Sequence, residues 1–88
     1  MTARFAIPSL LQEHTDGQRI INVPGDTLGV CLHTLCGWYP GLSDQLLDNH
    51  GILQPRWMIY VNKCAMENLS STLRDSDLIE IFPVLAGG

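Results

Sequence analysis

The last three residues, Ala86-Gly87-Gly88, follow an apolar segment that closes on Pro83. Two residues without a Cβ let backbone lie extended in a channel too narrow for side chains. The reactive group delivered there is the α-carboxylate of Gly88. A carboxylate resists nucleophiles until one of its oxygens becomes a leaving group, for example by adenylation. The same small residues also suit a frayed end without chemistry.

The other reactive side chains form no catalytic set. Cys31, Cys36 and Cys64 are odd in number, and the spacing of the first two fits neither a CxxC redox pair nor a zinc knuckle. All three are expected to be reduced and to pack at the flanks of the core. His33 lacks further ligands at metal-site spacing and is expected to be a solvated surface residue. No Ser/His/Asp order and no glycine-rich phosphate loop is present. Asp75 and Asp77 read as turn residues. The chain is therefore not expected to be an enzyme.

The elements that must position the terminus can be read from periodicity. Residues 3 to 7 alternate, with Ala3, Phe5 and Ile7 on one face, as a half-buried strand. Thr15-Asp16-Gly17 carries turn chemistry, and Arg19 to Val23 forms the second arm of a long-looped hairpin. Asp26 or Thr27 caps a helix whose apolar stripe is Leu28, Leu32 and Leu35. Gly37 and then Pro40-Gly41 are expected to stop it. Ser43 can cap a short second helix over Asp44 to Asp48. Trp57 to Asn62 is the strongest strand, with Trp57, Ile59 and Val61 on one face and Met58 and Tyr60 on the other. Asn62-Lys63 is a turn, Leu69 and Leu73 anchor a polar stretch, and Leu78 to Phe82 is the last strand, ended by Pro83.

This order is an α+β layout: a sheet packed on one main helix. With 88 residues there is one domain, expected over 1–83, with a flexible diglycine tail at 84–88. Hydrophobic residues make up 45% and charged residues 16%, which excludes a disordered chain. Five Lys and Arg against nine Asp and Glu give a net charge of −4. That sign argues against a nucleic acid or an anionic membrane as partner. The longest apolar run, Trp57 to Val61, falls far short of the roughly 20 residues that span a bilayer. With no signal-peptide pattern at the start, the expected location is the cytoplasm.

Pro83-Val84-Leu85-Ala86-Gly87-Gly88 after an apolar strand resembles the C-terminus of the ubiquitin-like β-grasp sulfur carriers. The resemblance runs through Ile7-Pro8, Gly25-Asp26-Thr27-Leu28-Gly29, Tyr39-Pro40-Gly41-Leu42, Leu46-Leu47-Asp48 and Ile59-Tyr60-Val61-Asn62. It is strongest with the cysteine-biosynthesis branch, ahead of the molybdopterin synthase small subunit and the thiamin carriers. The resemblance implies a mixed four- to five-stranded β-grasp sheet on one main helix plus a short second helix. It also implies that an activating enzyme adenylates Gly88 with ATP and magnesium, and that a sulfur donor displaces AMP to leave a thiocarboxylate. In the cysteine branch the acceptor is an aminoacrylate on pyridoxal phosphate (PLP) in a synthase-like enzyme, and a metal-dependent peptidase then frees cysteine. ATP, magnesium, PLP and zinc belong to those partners, and no cofactor is expected on this chain. A molybdopterin synthase subunit, a ubiquitin-like protein modifier and a plain interaction domain are the alternatives.

Two sets of residues follow as candidate sites. Leu85, Ala86 and Gly87 would occupy the partner's channel and present Gly88. Met58, Tyr60 and Phe82 point away from the helix-covered face, so they are expected to dock the partner enzymes, although isolated apolar surface residues are common.

Overall fold

The computed structural model describes residues 1–84. The expectations for Leu85, Ala86, Gly87 and Gly88 lie outside the described residues.

The first strand, β1 (Thr2–Ala6), places Ala3 and Phe5 inward, as their alternation requires. It pairs antiparallel with β2 (Ile20–Pro24). The loop between them is wound into a 3-10 helix over Ser9–Thr15, which the turn residues alone did not indicate. Leu11 makes it worth burying: it is 1% exposed. The buried Thr15 hydroxyl lies 3.3 Å from the Gln12 carbonyl and 3.0 Å from that of Gln18.

The main helix, α1 (Leu28–Trp38), starts where Thr27 Oγ1 accepts the Val30 N–H at 3.2 Å. Gly25 makes the approach possible: its φ is +153°, and a Cβ there would sit 2.7 Å from Cys31 Sγ. Leu28, Leu32 and Leu35 are fully buried, which stabilises by about 1.5–3 kcal/mol per side chain. Pro40-Gly41 does more than end this helix. Pro40 is the first residue of α2 (Pro40–Leu46), where its missing N–H costs nothing and its fixed φ suits the first turn. The second helix therefore begins before Ser43 and carries Leu42 and Leu46 into the core.

Three strands follow: β3 (Trp57–Val61), the two-residue β4 (Cys64–Ala65) and β5 (Leu78–Pro83). The tight turn between β3 and β4 has Asn62 and Lys63 at positive φ, as a two-residue hairpin loop demands. Sequence periodicity is silent on β4, because two residues carry no alternation. Strand order is β2-β1-β5-β3-β4, with β1 and β5 parallel and the other pairs antiparallel. This is the mixed β-grasp sheet, with both helices contributing to the core on one side.

Candidate functional site: the outer face of β3 and β5

Antiparallel register sets Met58 opposite Phe82 and Tyr60 opposite Glu80. All four side chains share the outer face, while Ile59, Ile79 and Ile81 are at most 2% exposed on the inner one. Met58 remains 37% exposed and Phe82 42% exposed. The Tyr60 and Phe82 rings meet edge to face, with centroids 5.4 Å apart, a favourable arrangement for two aromatic quadrupoles. Met58, Tyr60, Phe82, Pro83 and Val84 together line a shallow apolar depression. The three expected docking residues are thus one patch and not scattered surface. Its border is charged: Lys63 Nζ lies 3.1 Å from Glu80 Oε1.

Met58 and Val84 also line a deeper groove of about 480 Å³. Ile52, Leu53, Met66 and Leu69 supply much of its remaining apolar wall. Periodicity is silent on this groove, because much of its wall comes from the irregular segments before β3 and after the short β4.

Val84 departs from the expected tail. Its N–H donates to the Arg56 carbonyl at 2.7 Å, which extends the β3–β5 register one step past Pro83. Pro83 does not break the ladder because the bonds to β3 fall at even positions here, through Leu78 and Val84. A proline between them loses no bond to β3, and β1 has already ended at Ala6. The alternation that places Met58 against Phe82, continued by two residues, was the available signal.

The cysteines separate into two kinds. Cys31 and Cys36 are buried as expected, whereas Cys64 is exposed, because the hairpin turn puts β4 at the sheet edge. Burial pushes the Cys36 thiol up to about 11, and burial likewise raises Cys31. Both stay protonated near neutral pH and are poor nucleophiles. His33 is exposed but not merely solvated: Nδ1 lies 2.8 Å from the Gly29 carbonyl and Nε2 2.9 Å from that of Gly51, tying α1 to the 48–53 loop. Among the described residues, no three His, Cys, Asp or Glu side chains gather as a metal site, and no helix is long and apolar enough to cross a membrane.

No protein-family model matches the chain. The sulfur carrier protein CysO of Mycobacterium tuberculosis is 36% identical over 93 residues, covering 100% of both chains. Its crystal structure superposes with a TM-score of 0.82 at 33% identity, covering 94% of this chain and 99% of that one. The small archaeal modifier protein SAMP1 of Haloferax volcanii gives a TM-score of 0.85 at 25% identity over the whole of both chains. A chain of the Amycolatopsis orientalis BexX/CysO complex gives 0.83 at 25% identity, covering 98% of this chain and 99% of that one. The identity to CysO runs end to end and is carried by the same β-grasp sheet, so this chain belongs to the CysO family of sulfur carrier proteins.

Proposed function

We propose that this carrier acts through the carboxylate of Gly88. A carboxylate oxygen attacks the α-phosphate of ATP in a magnesium-dependent activating enzyme, and pyrophosphate leaves. Sulfide from a donor then attacks the acyl carbon and expels AMP, leaving a thiocarboxylate. That sulfur is a soft nucleophile, and its acceptor in the cysteine branch is an aminoacrylate on PLP. A metal-dependent peptidase releases the cysteine and restores the diglycine end. The chain is the protein cosubstrate of these enzymes and brings no cofactor of its own.

The observation that carries this reading is the apolar Met58–Tyr60–Phe82 patch across β3 and β5, since Phe82 lies on the last strand before Gly87-Gly88 in the sequence. Aromatic and methionine side chains are enriched where proteins dock, and a partner held there would have the terminus within reach. The CysO of Amycolatopsis orientalis, a structural relative, forms a complex with BexX. Thiocarboxylated protein should gain the mass of a cysteine residue when mixed with a PLP-dependent synthase loaded with an activated serine, and should release cysteine once the peptidase is added. Transfer to a molybdopterin precursor instead would move the chain to the neighbouring pathway.

The likeness to SAMP1 favours one second reading, a protein modifier. In that case Gly88 would end in an isopeptide bond to a lysine, and conjugates of higher mass would survive thiol treatment.

A further inference from the structure

The start of β3 is fastened to the end of α2 through a single carbonyl. Gln45 O accepts the Trp57 indole N–H at 2.7 Å and an Arg56 Nη2–H at 3.1 Å. Arg56 Nη2 also lies 3.4 Å from Gln45 Oε1, and its guanidinium carbon sits 5.8 Å from the Trp57 ring centroid. The backbone of the same Arg56 accepts the N–H of Val84, the last described residue before the diglycine segment. One residue therefore joins the helical layer to the root of the reactive terminus.

We infer that Arg56 is a positioning residue: its side chain holds its own carbonyl in place, and that carbonyl sets the point from which the terminus departs. The inference rests on the sulfur-transfer reading given above for its effect on activity, but not for the anchor itself. Four residues follow Val84, with a reach of roughly 13–14 Å. If the anchor opened and the last bond to β3 fell back to Phe82, the segment beyond it would lengthen by two residues and its reach by roughly 7 Å. A partner that docks the patch and threads the terminus needs a fixed span between them. A longer, looser span leaves docking intact but puts the carboxylate in place less often. The patch residues should therefore govern KM, and Arg56 should govern kcat.

The test uses the whole chain with Arg56→Ala and Arg56→Lys. In the free protein, amide hydrogen exchange at Val84 should quicken about tenfold in Arg56→Ala, with Ile59 and Ile81 unchanged. In ATP- and sulfide-dependent activation, kcat should fall about five- to tenfold with KM within about twofold, and Arg56→Lys should recover part of both losses. Unchanged Val84 exchange would overturn the anchor, and so would faster exchange throughout β3 and β5. Quickened Val84 exchange with unaltered kcat would overturn its role in positioning. If wild-type protein gains no sulfur while Val84 exchange responds as described, the sulfur-transfer reading fails and the anchor stands.

Discussion

Ile59 and Ile81 face each other across β3 and β5 and are almost completely buried; Met58 and Phe82, one residue away on each strand, face each other and are more than a third exposed. The chemistry of the two pairs is nearly the same, an apolar couple in the same ladder. Only parity differs, since successive strand residues point to opposite faces. The inner pair belongs to the core that α1 and α2 complete and contributes to stability. The outer pair meets no covering layer among the described residues and is the surface proposed for docking. In this sheet, the core face and the proposed docking face are separated by one residue of register, so each proposed role predicts a different effect of substitution.

The largest effect should come at neither face but at the terminus both support. Adding one residue after Gly88 should abolish thiocarboxylation while thermal unfolding stays as in wild type. A capped protein that still gained sulfur at the wild-type rate would move the chemistry elsewhere, first to the exposed Cys64. Next in size is the inner face. Ile81→Ala should cost about 2–5 kcal/mol of stability in chemical denaturation, with partner affinity of the folded fraction unchanged. Phe82→Ala should do the reverse, weakening the activating enzyme's binding by about 1–3 kcal/mol with a smaller change in melting temperature. A large melting shift with wild-type affinity would erase the distinction between the faces.

How far the sequence disclosed this division follows from the same physics. Strict alternation over Trp57 to Val61 and Leu78 to Phe82 identified both faces, because a half-buried strand cannot hide its period. The stripe at Leu28, Leu32 and Leu35 located α1 for the corresponding reason. Other features depend on contacts distant in sequence. The 3-10 helix forms because Leu11 finds the core, and β4 exists because a turn brings two residues beside β3. Pro40 signals a stop in the sequence and is also a start; a proline after one helix and before another satisfies both roles. Pro83 signals the end of pairing in the sequence, because the direction of its missing donor is visible only in the sheet. The role proposed for the terminal glycines comes from the resemblance to the sulfur carriers, since two small residues alone do not distinguish a reactive end from a frayed one.

The smallest expected effect tests the inner layer by pH. Burial holds Cys36 in its thiol form up to about 11, against an ordinary value of 9.0. The unfolded chain thus releases this proton first, and stability falls as pH rises between about 9 and 11. At about 1.4 kcal/mol per unit the displacement sets an upper bound of about 2.7 kcal/mol, and partial solvent screening reduces the expected loss to the order of 1–2 kcal/mol in denaturation curves. Cys36→Ala should flatten that slope. An unchanged slope in the variant would show that Cys36 does not govern it.

Sulfur is expected on the Gly88 carboxyl group and on no side chain. The direct measurement is intact mass after incubation with the activating enzyme, ATP, magnesium and sulfide, repeated with all three cysteines alkylated. The expected product has one oxygen replaced by one sulfur, in both the untreated and the alkylated protein, with the change mapping to the terminal peptide. An unchanged mass of the terminal peptide, or an oxygen-for-sulfur replacement that maps to any other peptide, would show that Gly88 is not the site.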